Sequence, residues 1–227
     1  FLIKLIEKNN YFLPSLSDLQ VGDEMLNSFD IDNINIEVIL YQAGYLTIEK
    51  MITTRRGKIE YKLKLPNKEV QQSLNDVILD FLTNQRVEKS RHQDAIYDAI
   101  VDMQLDDLES SLKNMFASIP YNNYVSNNIA HFEGYYASVI YTYFQSLGFE
   151  IIAEDVTNKG RIDLTIKLVD AIYVIEFKVD GKNAMQQIKD KKYYEKYIDN
   201  KKAIYLVGIN FNEEDRNISG FEWEIIK

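Results

Sequence analysis

Lys159-Gly160-Arg161-Ile162-Asp163-Leu164-Thr165-Ile166-Lys167-Leu168-Val169-Asp170-Ala171-Ile172-Tyr173-Val174-Ile175-Glu176-Phe177-Lys178 is the stretch whose reading decides the fold. It reads as a β-hairpin. In the first arm, Arg161 to Leu168, apolar and polar residues alternate. Ile162, Leu164, Ile166 and Leu168 fall on one face, and Asp163, Thr165 and Lys167 on the other. The second arm, Ala171 to Lys178, is apolar at Ile172, Tyr173, Val174, Ile175 and Phe177, which predicts a strand covered on both faces. Its end breaks that pattern. Glu176 and Lys178, two residues apart on a strand, share a face. A tight turn near Val169 to Ala171 sets Asp163 opposite either Glu176 or Lys178, according to the loop register. Burying this trio without partners costs on the order of several kcal/mol. A divalent metal held by Asp163 and Glu176 removes that cost. The alternative is a salt bridge from Lys178 to one acid, which leaves the second acid unbalanced.

These residues carry a resemblance. Asp163 followed by Glu176-Phe177-Lys178 resembles the signature of the PD-(D/E)XK nuclease superfamily, with Ile162 standing where the superfamily name has Pro. Gly160-Arg161-Ile162-Asp163, Glu176-Phe177-Lys178 and Gln187 to Tyr197 together resemble the nuclease-like domain that closes a group of bacterial AAA-ATPase-like proteins. The resemblance implies Mg²⁺- or Mn²⁺-dependent hydrolysis of a phosphodiester in nucleic acid, DNA being the expected substrate. It implies Asp163, Glu176 and the backbone carbonyl of Phe177 as metal ligands. Lys178 would orient the attacking water or stabilise developing charge. Glu133, on the helix entering the core, and Gln187, on the helix after the hairpin, are further candidates. For Glu133 the alternative is an acid favoured by the helix dipole, and for Gln187 a surface amide. Lys159 and Arg161 are candidates for contact with a flanking phosphate.

The 227 residues suffice for one large domain or two small ones, and 46% are hydrophobic, enough for a real core. There is no apolar run long enough for a membrane span and no visible signal peptide. The absence of cysteine rules out disulfides and thiolate zinc sites, and fits a reducing cytoplasm. With two histidines, His92 and His131, any metal here has oxygen ligands, which suits Mg²⁺ or Mn²⁺. The net charge of −9 argues against a simple binder of phosphate backbones, unless basic residues cluster locally. The chain begins at Phe1 without Met, which reads as the C-terminal piece of a longer protein with an upstream ATPase part.

Three regions follow from the chain order. Residues 1–66 read as a winged-helix-like module or linker: a helix end at Phe1 to Lys8, a loop at Leu13-Pro14-Ser15-Leu16, and a helix from Ile34 to Ala43 closed by Gly44. A hairpin follows with arms Leu46 to Ile52 and Ile59 to Leu65. The hairpin tip, Thr54-Arg55-Arg56-Gly57-Lys58, is basic, so this unit either docks protein or touches DNA. The segment Ile39 to Ile48 also resembles the linker between ATPase and nuclease-like parts of the same bacterial group. Residues 67–118 are helical. Asn67 caps a helix to Asn84 with Val70, Leu74, Val77, Ile78, Phe81 and Leu82 on its stripe, and one or two helices follow from Arg91 to Ala117. They form either a lid or a platform. Residues 119–227 form the α/β (α+β) core, a mixed sheet flanked by helices in the order αβββαβ, as in restriction endonucleases. Its elements are a helix from Asn123 to Leu147, a strand from Phe149 to Val156, the hairpin, a helix from Ala184 to Ile198, a strand from Ala203 to Ile209, and an edge strand from Phe221 to Ile226. Among 16 tyrosines, those around the last helix, Tyr193, Tyr194 and Tyr197, read as core and rim residues. The rival function is a noncatalytic interaction module on an idle nuclease fold.

Overall fold

The computed structural model describes residues 19–26, 36–85, 88–121, 133–181 and 183–226. The expected helix end at Phe1 to Lys8 and the loop at Leu13 to Leu16 lie outside them, as do residues 123–132 of the helix expected from Asn123. The described part opens with β1 (Leu19–Gly22), α1 (Asp23–Leu26), α2 (Ile36–Gln42), β2 (Thr47–Thr53) and β3 (Ile59–Lys64). Three helices follow: α3 (Lys68–Thr83), α4 (Lys89–Val101) and α5 (Leu105–Ala117). The C-terminal half runs α6 (Glu133–Ser146), β4 (Glu150–Thr157), β5 (Gly160–Lys167), β6 (Ala171–Val179), α7 (Ala184–Lys191), a 3-10 turn (Tyr193–Tyr197), β7 (Ala203–Asn212) and β8 (Asn217–Ile225).

Two sheets result. The first three strands pair in the order β1-β3-β2, all antiparallel, and the other five in the order β4-β5-β6-β7-β8. In the larger sheet β6 and β7 are parallel, with α7 as the crossover, and the remaining pairs are antiparallel. The sheet is therefore mixed and flanked by helices. Its central strand β6 is buried from Ala171 to Lys178, as its unbroken apolar run implies. Tyr173, Ile175 and Phe177 face the core shared with α3 to α6, where the Tyr136 and Phe211 rings stack at 4.3 Å. Ile172 and Val174 face a second core with Met185, Ile188, Tyr193 and Tyr197. Each such side chain contributes about 1.5–3 kcal/mol when fully buried. Val21, Leu40, Leu46 and Leu63 of the small sheet belong to the first core as well, joined to Leu74 and Ile78 of α3.

Local expectations meet mixed outcomes. Asn67 Oδ1 accepts from Val70 N–H at 2.9 Å and caps α3, and Asn84 ends it in the left-handed conformation. Val77, expected on the stripe of α3, is 45% exposed, and Leu79 takes the buried position instead. The helix expected from Ala184 to Ile198 is cut at Lys192, whose φ is +50°, and continues as a 3-10 turn. That break swings Tyr193 and Tyr197 under the sheet; a continuous helix would have kept the tyrosines on one exposed flank.

A polar knot ties the helices together. Gln85 Nε2 donates to Met115 O at 2.9 Å and to Ser118 Oγ at 2.8 Å, and Tyr143 Oη donates to Gln85 Oε1 at 3.1 Å. His92 Nε2 lies 2.9 Å from Ser118 Oγ. Burial, helped by Arg91, holds the His92 pKa below its ordinary value. Below about pH 6.5 the unfolded chain takes up a proton that the native site resists, so stability falls with acid. In His92→Gln, the loss of stability between about pH 6.5 and 5 should be smaller than in the parent, read as urea midpoints. Equal losses in both would show that His92 carries none of it.

Candidate active site

The site forms where the hairpin opens. The β5–β6 ladder is regular up to Leu164 opposite Ile175. That register sets Asp163 in line with Glu176, which resolves the alternative of Lys178. Beyond this point the Asp163 carboxylate replaces the ladder: Asp163 Oδ2 accepts the Phe177 N–H at 2.8 Å. The amide of a buried strand residue thus keeps a partner while the two strands part.

The outer neighbour β4 bends at the same level. Glu154 has φ +51°, and on either side of it the faces of both strands exchange. Leu164 and Ile166 lie in the first core, but Ile162 lies in the second. The expected placement of Ile162, Leu164 and Ile166 on one face is therefore wrong, because the strand kinks at Asp163. An alternating pattern carries no sign of such a kink.

Four further side chains close around the fork. Lys178 Nζ lies 3.2 Å from Glu176 Oε1, 3.8 Å from Asp163 Oδ2 and 3.4 Å from Glu133 Oε1, and donates to the Phe177 carbonyl at 2.5 Å. Glu133 reaches in from the first turn of α6. Gln187, on α7, donates from Nε2 to Glu176 Oε1. Every residue expected at the metal site is thus brought together. The phosphate candidates are not: Lys159 pairs with Glu195 at 2.8 Å and Arg161 with Glu154, both at the surface.

The electrostatics are those of acids short of positive charge. Glu176 is 1% exposed, and its Oε2 is buried with no hydrogen-bond partner. Burial, and then the neighbouring Asp163, push its pKa up to about 8 against the pull of Lys178. Burial raises Asp163 too, opposed by Lys178 and the Phe177 N–H. Burial alone would lower Lys178, but Asp163, Glu176 and Glu133 outweigh it and hold it up as a cation. One ammonium thus answers for three nearby carboxyl groups.

The donor set suits a hard cation. Asp163, Glu176 and the Phe177 carbonyl offer only oxygen, and the bare Oε2 of Glu176 lacks any partner. Among the described residues no three His, Cys, Asp or Glu side chains converge as a ready cluster of metal ligands. Lys178 contacts Glu133 as well as Asp163, Glu176 and the Phe177 carbonyl, so a cation here would compete with its ammonium for these oxygens.

Tyr193 was missed as a site residue. Its ring packs in the second core with Met185 and Ile188 of α7, and a Cβ on Gly160 would come within 3.0 Å of its hydroxyl. The turn before Asp163 and the turn after α7 therefore fit against each other. The available signal was the six-residue step from Gln187 to a tyrosine, masked because the helix was expected to run on. Further along β4, buried Asp155 accepts from Thr165 Oγ1 at 2.8 Å and from Tyr197 and Lys196, which fixes the 3-10 turn to β4.

The mixed five-stranded sheet flanked by helices is consistent with a restriction-endonuclease-like fold. Residues 131–221 match the PD-(D/E)XK nuclease superfamily. The chain is also 36% identical over 225 residues to an "uncharacterized protein in vnfD 5′region" of Azotobacter chroococcum mcd 1. That alignment covers 97% of this chain but 43% of the relative, so the chain spans less than half of that protein's length. No solved structure matches the chain.

Proposed function

We propose that this chain hydrolyses phosphodiester bonds of nucleic acid, with DNA as the substrate and Mg²⁺ or Mn²⁺ as the cofactor. The observation that carries this reading is the fork itself: Asp163, Glu176 and Lys178 meet beside a bare buried carboxylate oxygen within residues that match a nuclease superfamily. Asp163, Glu176 and the Phe177 carbonyl would hold the ion. When bound, it supplies positive charge against a phosphate oxygen and acidity to a water molecule. The chain's own groups do the rest. Lys178, whose ammonium lies at the fork beside Asp163 and Glu176, would stabilise charge developing on the phosphate. Gln187 and the Phe177 N–H hold the two acids in place, and Glu133 keeps Lys178 at the fork.

The finer reading is a nuclease-like part of a cytoplasmic AAA-ATPase-like protein. Supporting it are the resemblance of residues 39–48 and 160–197 and the greater length of the relative. No helix among the described residues is long and apolar enough to cross a membrane. A winged-helix-like module for residues 1–66 is supported by the sequence β1, α1, α2, β2, β3 and by a small sheet ordered β1-β3-β2, separate from the five-stranded one.

A second reading, an interaction module with an idle site, is favoured by the ion pairs of Lys178, which neutralise much of the fork without metal. The test is cleavage of plasmid and of linear duplex DNA at low salt, with Mg²⁺ or Mn²⁺ against EDTA. Metal-dependent nicking supports the enzyme. Metal binding without cleavage of any nucleic acid, in the full-length protein, supports the idle module.

A further inference from the structure

The tip of the β2–β3 hairpin is cationic in an otherwise acidic chain. It is closed by three hydrogen bonds: Thr54 N–H to Lys58 O at 2.8 Å, Gly57 N–H to Thr54 O at 2.9 Å and Lys58 N–H to Thr54 Oγ1 at 3.0 Å. Gly57 takes φ +77°, which a side chain would strain. This loop therefore holds Arg55, Arg56 and Lys58 out into solvent on a fixed backbone. None of the three, nor Lys50 on β2, forms an ion pair among the described residues.

The C-terminal half offers a contrast. There Lys159, Arg161, Lys167, Lys189 of α7 and Lys196 of the 3-10 turn each sit on a carboxylate, while Lys191, Lys192 and Lys201 form no ion pair among the described residues. Of the acids near the hairpin, Glu49 is engaged with Lys62 and Lys64, Glu60 with Gln20 and Asp23 with Tyr61, while Glu24 shares a hollow with Lys58. Met51 and Ile59 flank the tip at 59% and 41% exposure, so apolar surface borders the charge.

The geometry points to this hairpin as a docking element for duplex DNA, a reading that rests on the phosphodiesterase function proposed above. Two arginine forks and a lysine on a narrow, preformed ribbon match phosphate oxygens along a groove edge. The chain's excess of acid repels DNA, and a local cationic tip free of ion pairs among the described residues counters that repulsion at one point. Such contacts carry affinity and not sequence choice. They act on binding and leave the chemistry at Asp163, Glu176 and Lys178 untouched.

The experiment is fluorescence anisotropy of a labelled duplex of about 30 base pairs with the full chain in EDTA, over a range of salt. Arg55→Ala/Arg56→Ala/Lys58→Ala should bind on the order of tenfold or more weakly at low salt, with a salt slope smaller by about 2 to 3. Its melting temperature should match the parent, because these side chains form no ion pair or side-chain hydrogen bond among the described residues. Arg55→Lys/Arg56→Lys/Lys58→Arg should bind nearly as the parent does. With metal present, the alanine variant should raise KM and keep kcat. Unchanged affinity and slope in the alanine variant would overturn the proposal, as would equally weak binding by the charge-preserving variant. Hairpin-dependent binding with no cleavage by any variant would defeat the nuclease reading and leave this one standing. Cleavage whose KM ignores the hairpin would do the reverse.

Discussion

Lys178→Ala should bind divalent metal as the parent does and cut DNA on the order of 10²–10³-fold more slowly, the usual loss for one charge-stabilising donor. The reason lies in what the ammonium touches. Lys178 Nζ meets Glu176, Asp163, Glu133 and the Phe177 carbonyl, so its removal takes a cation out of the fork and leaves every oxygen donor in place. If anything, those donors then hold a metal ion more firmly. Asp163→Ala should fail in a different way. It deletes a hard ligand, so metal affinity itself drops, and it also strips the Phe177 N–H of its acceptor. A buried amide left unpaired costs about 1–3 kcal/mol. Asp163→Asn separates the two effects: the amide oxygen can still accept from Phe177, while the negative charge is gone. Metal affinity should therefore fall in both Asp163 variants, but stability chiefly in the alanine. Calorimetric Mn²⁺ titration and single-turnover cleavage read the two properties independently. Parent-like cleavage in both Lys178→Ala and Asp163→Ala would sink the assignment of this site and point to a contaminating nuclease. Weak metal binding in Lys178→Ala would make the lysine part of the binding site's architecture and not a charge-stabilising group.

The second large effect is expected at Gly208, which lies outside the sequence signature but beside Glu176 in the sheet. Gly208 lies on β7 opposite Glu176 on β6. A Cβ there would meet the backbone of Met185, 2.8 Å from its Cα, and the Met185 Cβ at 2.9 Å. Backbone atoms of a packed helix do not swing aside as a side-chain tip can, so α7 must shift. That helix is anchored at its start by Asn183 Oδ1 accepting from Gln186 N–H at 2.8 Å and by Ala184 N–H donating to Asn210 Oδ1 at 3.0 Å. It also delivers Gln187 to Glu176. Gly208→Ala should cost about 1–3 kcal/mol or more by overpacking, and should weaken metal binding and cleavage by moving Gln187. Urea denaturation and Mn²⁺ titration on the same variant check both parts. A variant as stable as the parent would mean that α7 is not held against β7 in this way. A destabilised variant with intact metal binding would mean that Gln187 does not position Glu176.

The sequence by itself determined the hairpin and the end of it at which its acids and lysine gather. An alternating arm followed by a continuous apolar arm makes a strand pair with one edge toward the centre of a sheet. An acid in the first arm and Glu-Phe-Lys at the end of the second then share one end of it. Period-2 geometry is local, so these residues could be brought together on paper; so could the cap at Asn67 and the turn at Gly57, which depend on neighbours three or four residues away. Tertiary structure decided the rest. The exchange of faces at Asp163 depends on the left-handed Glu154 of the adjoining strand, and nothing in the hairpin's own pattern registers a bend in its neighbour. The end of α7 at Lys192, and with it the position of Tyr193, follows from the pull of the second core on Tyr193 and Tyr197, which outweighed a helical pattern that could have run on. Gly208 matters only because a helix start from the preceding crossover lands on it. The state of Lys178, a buried cation shared among three acids and a carbonyl, depends on Glu133 arriving from a helix 45 residues earlier in the chain. Charge of that kind is set by distances across the fold, which no local spacing fixes.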